Sequence, residues 1–156
     1  MGEGEMGEAE TGGAMAQAVP LPDTTAASLW DYLQSVDYRS NWELWPGKGE
    51  KYKGQVPHGM LLTTYLNPAA LEALTGMAGS MPEGAIIVKE NYMPDSTLAA
   101  VTTMYKVPGF NPEHNDWFFA KQKPDGTVEV EGRGPGCQAC HSQKAENDYI
   151  FTGSLK

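Results

Sequence analysis

The sequence predicts an α+β fold that is mainly β: a five-stranded antiparallel sheet with a few short helices. Three observations carry this reading. Short runs rich in β-branched and aromatic residues recur from residue 59 to residue 132, bounded by Gly, Pro or Asn. Most of these runs follow one another directly, which favours antiparallel neighbours over parallel crossovers. At 156 residues the chain fits a single domain large enough to bury its own core without a disulfide framework.

Residues 1–22 are mostly Gly, Glu and Ala without apolar periodicity, and they read as a flexible acidic tail. The single domain then spans 23–156. "DTTAASLWDYLQSVDY" (23–38) opens it as a helix. Asp23 or Thr24 is placed to cap it, and Leu29, Trp30, Leu33 and Val36 recur at helical spacing. "RSNWELWPGKGEKYKGQVP" (39–57) is punctuated by Gly and Pro and reads as an ordered loop anchored by Trp42 and Trp45. "GMLLTTYLN" (59–67) is the first strand. "PAALEALTG" (68–76) is a short helix with proline at its start and glycine at its end. "GAIIVKENY" (84–92), "TLAAVTTMYKV" (97–107) and "DWFFAKQK" (116–123) are the next three strands. "PDG" (124–126) turns the chain into "TVEVEG" (127–132), the fifth strand and hairpin partner of the fourth.

The formal net charge is −9. Such a surface repels nucleic acid and anionic lipid, so neither is an expected partner. No apolar run approaches the roughly 20 residues of a membrane-spanning helix.

The two cysteines stand in "GCQACHSQ" (136–143), three residues apart, with a histidine directly after the second. Cys137-Gln138-Ala139-Cys140-His141 matches C-x-x-C-H, the attachment pattern of haem c. One helical turn sets both thiols along one edge of a porphyrin, where they form thioethers with its vinyl groups. The next residue then offers an imidazole to the iron as proximal ligand. Two other readings compete. A thioredoxin-like dithiol belongs near a βαβ unit, and this pair follows a β-hairpin. A structural zinc site needs four ligands, and Cys137, Cys140 and two of the three histidines are not spaced as a finger or ribbon. Haem c is attached outside the cytoplasm. The motif therefore predicts an exported, periplasmic protein whose signal peptide is absent from this sequence.

Four stretches in this order, "PHGMLLTTYLNP" (57–68), "GAIIVKENY" (84–92), "MYKVPGFNPEHNDWFFAK" (104–121) and "CQACHSQKAENDYIFT" (137–152), resemble the cytochrome P-460 and cytochrome c′-beta superfamily over residues 40–153. The resemblance implies a five-stranded antiparallel sheet with one haem c at one face, and a homodimer. In true cytochromes P-460 a lysine is joined to the porphyrin, and Lys89 falls at that position. On a strand, Ile87, Lys89 and Asn91 share one face. The hydroxylamine-oxidising members place a carboxylate over the distal face, on the strand that here reads "AAVTTMY", and an arginine early in the first strand. This chain has neither.

His58 stands where the family commonly has a bulky apolar residue capping the distal iron face. A histidine there is a candidate sixth ligand, or a hydrogen-bond donor to a bound molecule. Met104 is the methionine to weigh as an alternative ligand, ahead of Met60 and Met93. Phe118 and Phe119 alternate sides, so one of them walls the pocket. Arg133, close before the haem motif, is a candidate partner for a propionate. These residues define three functions: binding or redox handling of small nitrogen or oxygen ligands such as NO, electron transfer with a redox partner protein, and hydroxylamine oxidation with a Lys89 cross-link.

Overall fold

The computed structural model describes residues 20–54 and 58–156. Of the tail expected over 1–22, residues 1–19 lie outside the described residues. Pro22 is buried, and its carbonyl accepts from the Tyr105 hydroxyl at 2.8 Å.

The first helix, α1 (Ala26–Val36), is capped by Thr25, whose side chain accepts from the Ser28 amide. The cap thus falls one or two residues after the Asp23 or Thr24 expected. A single turn, α2 (Tyr38–Asn41), follows. The loop expected over 39–57 contributes two short strands, β1 (Glu43–Leu44) and β2 (Tyr52–Lys53). Both pair antiparallel with the same strand, β3 (Leu61–Leu66). Next come α3 (Pro68–Thr75), β4 (Ile86–Tyr92), β5 (Leu98–Lys106), β6 (Trp117–Gln122) and β7 (Val128–Gly132). The sheet therefore has seven strands in the order β1-β3-β4-β5-β6-β7, with β2 also on β3, and every pairing is antiparallel. The five long strands are those read from the sequence. The chain closes with α4 (Pro135–His141) and a 3₁₀ stretch, Ser142–Asn147. No helix among the described residues is long and apolar enough to cross a membrane.

Because strand side chains alternate, the sheet has two different faces. On one, Ile86, Val88, Val101, Tyr105, Phe118 and Ala120 pack against Leu29 and Leu33 of α1. On the other, Ile87, Met104, Phe119 and Trp117 pack with Trp45, Tyr149 and Ile150. The sheet is thus a wall between a helix-covered core and the face that receives α4.

The α1 face holds one buried ionic group. Glu90 accepts from the hydroxyls of Tyr38 and Tyr92 at 2.6 and 2.7 Å and pairs with Arg39. Burial first, then the Glu90 carboxylate, push both phenols well above the ordinary tyrosine range. An unfolded tyrosine ionises near pH 10. These two ionise higher in the folded state, so their contribution is intact below pH 10 and is lost as pH climbs above it. The slope is up to about 1.4 kcal/mol per pH unit for each phenol. We expect urea unfolding stepped from pH 9 to 11.5 to show this loss, and a Y38F/Y92F double variant to lose less per pH unit.

Candidate functional site

Two rows of side chains run across the second face. The register aligns Thr64, Lys89, Thr102, Lys121 and Val130 in one row, and Leu66, Ile87, Met104, Phe119 and Gly132 in the next. Of these, Lys89, Thr102, Lys121, Val130, Ile87, Met104 and Phe119 floor a cavity of about 440 Å³. Its other walls are Trp45, His58, and the segment from Gly136 through His141 to Ile150, Phe151 and Thr152. Lys89, Asn91 and Ile87 do share the cavity face, as strand alternation requires.

Helix α4 supplies the sulfur atoms. Cys137 and Cys140 are one turn apart on its cavity side, both half-buried and both free. Gly134 precedes the helix, and a Cβ there would lie 2.5 Å from Val130 Cγ1, so only glycine lets this turn approach the sheet. Burial pushes the Cys137 thiol up. The reactive cysteine of a dithiol oxidoreductase is shifted the opposite way.

Two imidazoles face each other across the cavity. The rings of His58 and His141 have centroids 6.3 Å apart, with planes at 77°. His141 Nδ1 lies 2.7 Å from the Tyr149 carbonyl, which only accepts, so Nδ1 carries the proton and Nε2 is bare. His58 Nδ1 lies 3.0 Å from Asn91 Oδ1. The Asn91 amide is oriented by its own bonds. Its Nδ2 donates to the Lys89 and Ala100 carbonyls and to Thr102 Oγ1, and its Oδ1 also accepts from the Gly59 amide. His58 therefore donates through Nδ1 and also keeps Nε2 bare. A Cβ on Gly59 would stand 2.8 Å from the Tyr92 amide nitrogen, so a glycine after His58 is what lets this loop lie against β4. Desolvation, then the Lys89 charge, holds the His58 pKa down to about 4, and desolvation lowers that of His141. Both rings are neutral at neutral pH, the form in which imidazole binds metals.

Metal–imidazole bonds run about 2.0–2.1 Å, so one metal atom held by both rings sets their centres roughly 6 Å apart. The rings stand at that spacing. Phe119 and Phe151 flank His141 at 5.4 and 5.3 Å.

The charges in the cavity are one-sided. Among the described residues no carboxylate lines the cavity, while Lys89 and Lys121 do. Burial, then Lys48, lowers the Lys89 pKa to about 8. The site thus offers cations to an anionic group on an otherwise apolar occupant.

The sequence profile of the cytochrome P460 family matches residues 36–152. The chain belongs to the cytochrome P460 family. No curated protein sequence matches the chain. Family membership makes this a haem-binding cytochrome, and the residues present suit that group. Two thiols lie one helical turn apart, two neutral imidazoles with Nδ1 engaged line the same cavity, the walls are largely apolar, and two lysines stand ready for carboxylates. The described residues contain no cluster of three or more His, Cys, Asp or Glu side chains with metal-site geometry, which weighs against the zinc reading.

Of the candidates named from the sequence of this P460 protein, His58, Lys89, Met104, Phe119, Cys137, Cys140 and His141 all line one cavity. Two do not. Phe118 is on the other face of the sheet, packed against Phe110 and Tyr105, because its neighbour Phe119 takes the cavity side. Arg133 lies over the Phe110 ring at 4.8 Å and donates to the Phe110 carbonyl, and that contact holds it outside the cavity. Met60 and Met93 are 61% and 50% exposed and line nothing. His114 meets the Tyr149 hydroxyl at 3.0 Å.

Sequence reasoning gave Trp45 a loop-anchoring role but no place in the cavity, and it gave no role to Thr102 or Lys121, nor to Asn91 as the partner of His58. It also missed Asp148, which is buried with both carboxylate oxygens bonded to Lys106 Nζ at 2.9 and 2.8 Å. Asp148 and Tyr149 both have positive φ, 51° and 70°. For a residue as bulky as tyrosine this costs on the order of 1–3 kcal/mol and persists only where the surroundings enforce it.

Proposed function

We propose that this protein is a monohaem c-type cytochrome whose iron is held between His141 and His58 and which transfers electrons. Cys137 and Cys140 anchor the porphyrin through thioethers, and Lys89 and Lys121 meet its carboxylates. The observation that carries the reading is the facing pair of imidazoles, each with Nδ1 engaged and Nε2 free. The bound haem supplies a one-electron ferric/ferrous couple. The protein's part is to fix both rings, to exclude water with Phe119, Phe151 and Trp45, and to keep the group in a largely apolar sleeve. Little has to move when an electron enters or leaves such a site. The same reading has the protein exported to where haem c is attached, meeting a redox partner protein, and pairing with a second copy.

A second reading is favoured by one further observation. His58 is carried on the loop ahead of β3 rather than within a strand, and one hydrogen bond, to Asn91, orients its ring. A small ligand such as NO competes with a side chain held in this way. Hydroxylamine oxidation has less support, because bound hydroxylamine releases protons and a base must take them. No carboxylate among the described residues lines the cavity, and His58 with a pKa near 4 is a weak base.

The test is the absorption spectrum of the ferric and ferrous holoprotein. We expect a six-coordinate, low-spin haem c spectrum in both states. A five-coordinate high-spin ferrous spectrum puts the ligand-binding reading first. A strongly red-shifted ferrous Soret band marks a Lys89 cross-link and puts hydroxylamine oxidation first.

A further inference from the structure

We infer that Asp148, clamped by Lys106, is the positioning residue that holds the Tyr149 carbonyl against the proximal imidazole and thereby sets the donor strength of His141. The inference rests on the haem reading above, with His141 as the proximal ligand.

The observations form a chain. Asp148 is buried and accepts from four groups. Lys106 Nζ reaches both oxygens, Asn115 Nδ2 donates to Oδ1 at 2.9 Å, and the Met81 amide donates to Oδ2 at 2.7 Å. Its main-chain carbonyl accepts from Trp117 Nε1 at 3.0 Å. Lys106 is itself fixed, donating to the Asn115 carbonyl at 2.9 Å and lying 4.5 Å from the Trp117 ring centre. Lys106 ends β5 and Trp117 begins β6, and the two are cross-strand partners. The rigid end of the sheet therefore grips Asp148 through its side chain and its backbone.

That grip has a geometric consequence. Asp148 and Tyr149 are held consecutively in the left-handed region, and the Tyr149 amide donates to the Lys144 carbonyl at 2.8 Å. The reversal turns the Tyr149 carbonyl back onto His141 Nδ1 at 2.7 Å. A hydrogen bond from Nδ1 of a metal-bound imidazole fixes the ring and raises its basicity. A more basic ligand favours the ferric state. Loosening the clamp should weaken this bond and shift the couple toward the ferrous state.

Two variants test this in the holoprotein, read by reduction potential, spectrum and thermal unfolding. The double variant D148N/K106M removes the ion pair without leaving a buried lone charge. Asparagine also tolerates the left-handed conformation as aspartate does. The single variant W117F removes the indole donor to the Asp148 carbonyl and shrinks the ring beneath Lys106 while leaving the ion pair in place, and it decides the matter if the double variant does not fold. We expect the ferrous-to-ferric ratio at a fixed applied potential to rise at least threefold in the double variant, about 28 mV at 59 mV per tenfold change. W117F should shift the same way by less, and both should keep the haem and its low-spin spectrum. A lowered unfolding temperature with an unchanged ratio would overturn the inference, since a merely structural clamp moves stability alone. A parent protein that carries no haem would sink the haem reading instead, which is a different failure.

Discussion

A Cys137→Ala/Cys140→Ala double variant should carry no covalently attached haem, where the parent is expected to carry one. Intact mass under denaturing conditions should give the bare polypeptide for the variant, and polypeptide plus one haem for the parent. The argument is geometric. The two thiols lie one turn apart on α4, on the side that faces the cavity, where one porphyrin edge reaches both. No other cysteine exists to replace them. Each single variant should keep a single thioether and a less uniform product. The competing uses of a C-x-x-C pair predict other masses. A redox dithiol would show a parent two hydrogens lighter after oxidation and no haem, and a zinc site would release its metal under acid. The redox use does not fit a Cys137 thiol pushed up by burial, because it needs the thiolate.

Much of this site was legible because its residues carry local signals. C-x-x-C-H is a contiguous motif, and the five long strands announce themselves by alternation and by Gly, Pro and Asn at their ends. The alternation also puts Lys89 and Asn91 on one face of β4. What stayed hidden depends on contacts distant in sequence. A two-residue strand such as Glu43–Leu44 has no period to detect, and it exists because β3 offers it an edge. Phe118 and Phe119 must lie on opposite faces, but which one meets the cavity is set by the pairing of Phe119 with Met104. Arg133 reads as a propionate partner by its nearness to the motif, yet the Phe110 ring captures it first. Asp148 looks like one more acidic residue in a surface turn. Its burial follows from Lys106, 42 residues earlier, and no local pattern encodes that pair.

The charge pattern links the fold to its proposed task. The chain has an acidic excess, with a formal net charge of −9, and the one buried carboxylate on β4, Glu90, points to the α1 face with its phenols and Arg39. The next residues on either side, Lys89 and Asn91, point to the cavity. A one-residue register slip would therefore exchange a cation and an amide for a carboxylate at the haem site. The buried Glu90 network on one face thus helps to fix what the other face presents.

The second large effect concerns His58. Replacing it by alanine should convert the holoprotein from six-coordinate low-spin to five-coordinate high-spin, with no comparable loss of fold. The ring sits on a loop, and its single side-chain partner, Asn91, retains four other hydrogen bonds without it. Carbon monoxide is the probe, because it binds ferrous iron and does not compete for protons. A ligand that must first displace an internal one is weakened by the fraction of time the site is open. If His58 occupies the iron about 99% of the time, the variant gains roughly 100-fold in carbon monoxide affinity. Asn91→Leu should move the same way by a smaller factor, because it frees the ring to turn but leaves the imidazole in place. If His58→Ala changes neither spin state nor affinity, His58 is not a ligand. Its Nε2 is then left facing the bound molecule, and small-ligand binding becomes the leading function. The two outcomes separate an electron carrier from a ligand-binding haem by one side chain, since proximal ligand, thioethers and cavity walls are the same in both.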